Sequence, residues 1–161
     1  DYKKKEFPDF LGSFYAYSNQ SKALAKNPDT VEAYIPIATN KETITPREGK
    51  PYAHDIISDA NKFSAANKYL AFIGGDQPLI EIKNPKLSDD SSCIIIKESY
   101  GNAFVPFLVD HYQHVYVVDY RYFTGNVTDL AKKHSNTDII FLNNTAATSV
   151  EKSKLMLGIF K

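Results

Sequence analysis

The sequence predicts an α/β fold, a parallel sheet with flanking helices, preceded by an irregular or β-rich N-terminal flank. Three observations point there. Cys93-Ile94-Ile95-Ile96-Lys97, Val115-Tyr116-Val117-Val118-Asp119 and Asp138-Ile139-Ile140-Phe141-Leu142 are short, β-branched runs that suit strands buried on both faces. Each is followed by a segment of helical character, so strands and helices alternate at the interval of β-α units. Each also stops on polar or turn-forming residues: Ser99 and Gly101, Arg121, then Asn143-Asn144. A strand followed by three such units, joined by right-handed crossovers, is the expected order.

The elements follow from the N-terminus. Phe7-Pro8-Asp9-Phe10-Leu11-Gly12-Ser13 has Pro and Gly spaced as in a loop, and Phe14, Tyr15 and Tyr17 fit either a short helix or an aromatic knot. Asp29–Ile35 and Glu42–Thr45 alternate with period two and read as short strands, a candidate hairpin. Pro46, Gly49 and Pro51 impose turns, Ala53–Ser58 is ambiguous, and Ala60–Ala66 leans helical. Tyr69–Ile73 reads as a strand halted by Gly74-Gly75, and Leu79–Ile82 as another before an Asn-Pro turn and the polar loop Ser88–Ser92. Asn102 to His111 is apolar nearly all round and predicts a buried helix, with Pro106 early enough to fall in its first turn. Val127–His134 predicts a short amphipathic helix, and Ser149–Leu157 a final one. The 161 residues are expected to form one domain, with residues 1–63 as flank and 69–161 as the sheet core.

Composition narrows the function classes. Lys plus Arg and Asp plus Glu both number 19, so the chain carries no net charge. Its one like-charge run, Lys3-Lys4-Lys5, is too short to neutralise a phosphate backbone, and nucleic acid is not an expected partner. The lone Cys93 excludes an internal disulfide or a thiolate zinc cluster. No apolar run approaches the roughly 18 residues of a membrane span. Eleven Tyr and ten Phe with no Trp suit rings packed in a core with hydroxyls facing water or a carbohydrate.

Chemistry gathers at the carboxyl ends of parallel strands. Ser99 closes the Ile-rich run there, and it either caps the helix that follows or is presented as a nucleophile beside the helix amides. Asp119 and Arg121 either pair with each other to fix their loop or face a ligand, and Asn143 and Asn144 either satisfy loop backbone or line a site. Gly74-Gly75-Asp76 is a turn, or a place where a backbone amide approaches a ligand. A serine nucleophile needs a base. His111 and His114 lie at the far end of the helix expected after Ser99, roughly 15 Å away at about 1.5 Å per residue, and His134 also closes a helix. His54, beside Asp55, escapes that objection but reads more readily as a surface residue. His111 and His114 are spaced i, i+3 without a third ligand, so neither a metal nor a cofactor is expected.

The runs Phe72-Ile73-Gly74-Gly75-Asp76-Gln77-Pro78-Leu79, Ile94 through Leu108 with Lys97-Glu98-Ser99-Tyr100-Gly101-Asn102-Ala103, His114 through Phe123 with Asp119-Tyr120-Arg121, and Ile139-Ile140-Phe141-Leu142-Asn143-Asn144, together with Asp9–Ser13, resemble the bacterial DHHW family. That family is SGNH-hydrolase-like and similar to the alginate O-acetyltransferases. The resemblance implies SGNH-type, flavodoxin-like layering. It also implies a serine esterase or O-acyltransferase acting on a secreted or cell-surface carbohydrate ester, with Ser99 as nucleophile. The oxyanion and substrate contacts would come from Gly75, Asn102, Asn143, Asn144 and Arg121. The Asp-His-His-Trp motif that names the family and supplies the triad's Asp and His is missing here. On this reading the chain is the C-terminal part of a longer, exported or anchored protein, and its own triad is incomplete. The alternative is a non-catalytic carbohydrate-binding or structural module on the same fold.

Overall fold

The computed structural model describes residues 1–134 and 136–161, apart from the side chains of Asn136 and Ala146. Strands β1 (Lys3–Phe10) and β2 (Asp29–Ile35) pair antiparallel as a separate ribbon. Six more strands, β3 (Lys41–Thr45), β4 (Tyr52–Asp55), β5 (Leu79–Lys83), β6 (Ser91–Lys97), β7 (His114–Asp119) and β8 (Asn136–Leu142), form one sheet in the order β4-β3-β5-β7-β6-β8.

This corrects the expected fold class. The sheet is mixed: β7, β6 and β8 run parallel, whereas β5 is antiparallel to β7, β3 to β5 and β4 to β3. The protein is mostly β, and its helices are few and short: α1 (Gly12–Tyr17), α2 (Lys22–Ala25), α3 (Val105–Leu108), α4 (Val127–Ala131) and α5 (Val150–Gly158). A helix-flanked parallel layering is therefore not what forms. The reason lies in the connections. A parallel neighbour needs a crossover of a dozen or more residues, and the Pro- and Gly-containing link between β3 and β4 is only long enough for a hairpin. Residues read as a flank thus supply two strands of the main sheet.

Local departures have similar causes. The segment read as a strand over Tyr69–Ile73 is a 3₁₀ turn at Lys68–Ala71, with only an isolated bridge between Phe72 and Ile57. A short buried apolar run does not reveal its conformation by periodicity. The loop expected over residues 7–13 is largely β1, which pairs through a ladder with an irregularity between Phe7 and Phe10. The helix expected over 102–111 is a 3₁₀ turn, Ser99–Gly101, followed by the single turn of α3, which begins at Val105 with Pro106 just inside it. A longer helix would put Pro106 in its interior, where the missing N–H and the ring both oppose it.

β6 is the central strand of the parallel trio, and its alternation serves two cores. Ile94 and Ile96 pack with Val127, Leu130 and Ile159 on one face. Cys93 and Ile95 pack with Val105, Val109, Ile44 and Ile73 on the other, where Phe7, Val31 and Ala33 of the ribbon close the layer. Each buried Ile contributes about 2 kcal/mol of apolar transfer energy. Cys93 behaves as a small apolar residue, its thiol pushed up to about 12 by burial. The chain leaves β6 toward β7 and returns past it to β8, so the loops after β6 and β8 meet at one rim. Among the described residues, no helix is long and apolar enough to cross a membrane.

Candidate functional site

Ser99 begins the turn that leaves β6 and is half-buried between the completely buried Lys97 side and an exposed Tyr100. Its Oγ donates to Glu98 Oε2 at 3.2 Å. Glu98 is 5% exposed, and it also accepts from the amides of Tyr100 (3.2 Å) and Asn144 (2.9 Å). One buried carboxylate thereby ties the serine, its own turn and the loop after β8 together. Tyr69 holds the same turn from the opposite side: its hydroxyl donates to the Ser99 carbonyl at 3.1 Å and accepts from the Ala103 amide at 3.3 Å. Burial raises the Tyr69 phenol, which keeps that donor protonated.

Behind the turn lies a compact set of charges. The parallel register sets Lys97 of β6 opposite Asp119 of β7, and their side chains meet at 3.3 Å, both fully buried. Arg121 grips Asp119 with Nε at 2.8 Å and Nη2 at 2.6 Å, and Nη2 also reaches Asp76 at 2.9 Å. Asp76 in turn accepts from Asn102 Nδ2 at 3.1 Å and faces Lys97 at 3.5 Å. Two cations thus face two carboxylates, as burial requires. Burial pulls the Lys97 ammonium below its ordinary value, with Asp119 and Asp76 opposing. Burial alone would raise the Asp76 carboxyl, but Lys97, Asn102 and Arg121 together hold it below the usual carboxylate range. Gly101 has no side chain because none fits: a Cβ there would lie 2.6 Å from Lys97 Cβ. The turn carrying Ser99 therefore rests directly on the stem of a buried lysine.

In front of Ser99 opens a cleft of about 740 Å³, lined by Tyr69, Tyr100 and Asn67 and by Phe10, Leu11 and Phe14 from the ribbon and α1. The remaining candidates fall in different places. Asn102 and Arg121 belong to the charged set behind the turn, and the Asn102 Oδ1 is buried without a hydrogen-bond partner among the described residues. Gly75, at φ +82°, donates its amide to the Phe72 carbonyl at 2.9 Å, and a Cβ on it would meet Leu70 at 2.8 Å. Asn143 sits across the rim, its Nδ2 3.5 Å from the Ile96 carbonyl, and Asn144 contributes its amide to Glu98. Of the sequence candidates, only Ser99 lines the cleft.

Among the described residues, no imidazole bonds to Ser99. His54 on β4 pairs instead with the buried Glu42 of β3, Nδ1 to Oε1 at 2.9 Å. His114 and His134 stack on each other at 4.2 Å, at the start of β7 and after α4. Sequence reasoning passed over Glu98, Lys97 and Tyr69. The first two did leave a signal, charged residues at the end of an otherwise apolar buried run. Tyr69 left none, since its role depends on a turn that was read as a strand.

No curated protein matches the chain. Among solved structures, a DHHW family protein from Eubacterium siraeum is similar at 28% identity and a TM-score of 0.84, over 99% of this chain and 54% of that one. Bacillus cereus PatB1 is similar in fold, at 17% identity and TM-score 0.70 in a structure with a sulfonyl adduct, covering 96% of this chain and 50% of that one. A second PatB1 structure gives 20% identity and TM-score 0.68, covering 92% and 50%. The chain spans about half the length of these proteins. Residues 1–118 match the DHHW protein family, which is most of the chain, and the chain accordingly belongs to the DHHW family.

Proposed function

We propose that Ser99 is the nucleophile of an O-acyltransferase or esterase acting on carbohydrate esters outside the cell or at its surface. The observation that carries this reading is a half-buried hydroxyl on the turn after the central strand, opening onto the cleft and held by Glu98. In the reaction, Oγ attacks the acyl carbonyl carbon and passes its proton to a base. The ester C–O bond breaks, and the leaving alcohol departs with a proton. The acyl group then moves from Oγ to a sugar hydroxyl or to water. Glu98 orients the hydroxyl, and the proton acceptor is proposed to come from residues outside these 161, consistent with relatives about twice as long. An oxyanion would be met by the Ser99 amide, while Asn102, Arg121, Asn143 and Asn144 support the turn and the rim from outside the cleft. A lost oxyanion donor typically costs ~3 kcal/mol of transition-state stabilisation. The sulfonyl adduct in PatB1 supports the reading by analogy, since sulfonylation is a reaction of activated nucleophiles.

The exposed rings of Phe14 (80%) and Tyr100 (69%) at the cleft favour a second reading, a carbohydrate-binding module without catalysis. Hydrolysis of an acetyl ester by the protein at the length of its relatives, with and without Ser99→Ala, separates the two. Loss of at least a hundredfold in rate is expected. Equal rates, with saturable glycan binding that falls on Tyr100→Ala, would establish the binding module instead.

A further inference from the structure

A second cluster of chemically competent side chains lies at the opposite rim of the sheet. Asp90 immediately precedes β6 and Ser99 follows it, so the seven residues of the strand, at about 3.3 Å each, put the two rims more than about 20 Å apart. One nitrogen from each of His114 and His134 and a carboxylate oxygen of Asp90 lie within 4.8 Å of one another. We propose that Asp90, His114 and His134 form a site for one divalent transition cation of the zinc class.

The donor set is two imidazoles and one carboxylate, which suits zinc with a fourth position left for water. Tetrahedral bonds of about 2.0–2.1 Å require donors roughly 3.3 Å apart, so pairs as far as 4.8 Å apart must close by up to about 1.5 Å while the 2.7 Å contact of His134 Nδ1 with Asp90 Oδ1 opens slightly, both within reach of side-chain rotation. His134 Nδ1 and Asp90 Oδ1 are 2.7 Å apart. An ionised carboxylate can only accept, so that contact places a proton on Nδ1, and Nε2 then accepts from the Tyr116 hydroxyl at 2.8 Å. A cation binding between Asp90 and Nδ1 replaces that proton. The displaced proton moves to Nε2, which donates to Tyr116 Oη as that hydroxyl's own proton turns away, so the Tyr116 contact is kept while the Nδ1–H···Asp90 hydrogen bond gives way to coordination. A ligating histidine fixed through its other nitrogen is the usual arrangement in metal sites.

The ligands come from three elements already held together. The Asp90 amide donates to Gln113 Oε1 at 2.7 Å, and the Gln113 amide donates to Ser91 Oγ at 3.0 Å. The residue before His114 thus ties the start of β7 to the loop carrying Asp90. His134 is brought over both by its ring stack on His114.

Isothermal titration of the full chain with zinc chloride, alongside titration with cobalt(II) read by visible absorbance, tests the site. One zinc per chain and cobalt bands of tetrahedral intensity are expected. Both should be lost in His114→Gln and in Asp90→Asn, two substitutions at accessible positions, while Tyr116→Phe weakens affinity about tenfold or more through His134. Ser99→Ala should bind as the parent does. Absence of stoichiometric binding, or binding that persists unchanged in both ligand variants, would overturn the site.

Discussion

Glu98 carries more of the site's structure than its neighbour in the sequence. Its two oxygens serve the Ser99 hydroxyl and the amides of Tyr100 and Asn144. Removing the carboxylate leaves those amides unsatisfied in a buried place, at a cost of about 2–4 kcal/mol for Glu98→Ala in urea unfolding. Ser99→Ala removes one hydrogen bond and leaves the two amides satisfied, so it should change stability by no more than about 1 kcal/mol. A Ser99→Ala loss as large as that of Glu98→Ala would show that the hydroxyl is structural. The placement of Ser99 after an apolar strand was legible in the sequence, because a β-branched run ending in Ser, Gly and Asn has few other readings. The charged set behind it was only half legible. Asp119 and Arg121 are two residues apart and their pairing could be weighed, but Lys97 joins them through strand pairing and Asp76 from the turn before β5, neither of which a local pattern announces.

At the level of elements, the turn after β6 depends on Gly101 lying flat against Lys97. Gly101→Ala puts a methyl group 2.6 Å from Lys97 Cβ, a contact between two groups that cannot both yield. A destabilisation of about 1–3 kcal/mol is expected, together with loss of whatever activity Ser99 supports. The hairpin of β3 and β4 makes a separate prediction. The hydrogen bond to Glu42 raises His54 above its ordinary value, with burial opposing, and burial raises Glu42 with His54 opposing. The folded state therefore holds these protons more tightly than the unfolded chain. Stability from His54 is complete below its unfolded value of about 6.5 and is lost as pH rises through its higher folded value. The Tm advantage of the parent over His54→Gln should thus be largest below about pH 6.5 and shrink as pH rises above it, by about 2–4 °C for about 1 kcal/mol. A difference independent of pH would mean that the proton is not shared. Strands β2, β3, β5, β6, β7 and β8 were readable from period or β-branching. β1 was hidden by its lysines and Pro8, since an exposed ribbon of polar residues lacks an apolar rhythm.

For the whole molecule, sequence runs predicted the parallel trio but not its company. Whether β5 and β3 run with or against β7 is decided by loop lengths and by which edge remains open, neither of which leaves a residue signature. The consequence is a mixed sheet whose two rims hold different chemistry: a hydroxyl, a cleft and a neutralised charge set at one, and two histidines with an aspartate at the other. The cleft wall built by β1 and α1 also explains why residues far from Ser99 in sequence were missed as part of its surroundings. The central claim, that Ser99 is a nucleophile, is tested most directly by reacting the protein at the length of its relatives with a sulfonyl fluoride or a fluorophosphonate and sequencing the adduct by mass spectrometry. Cleavage after Lys97 and Arg121 releases a peptide in which Ser99 is the sole serine. The account predicts the adduct mass on that serine, with no labelling of the 161-residue chain alone. An unmodified Ser99 in protein that still hydrolyses acetyl esters would contradict it.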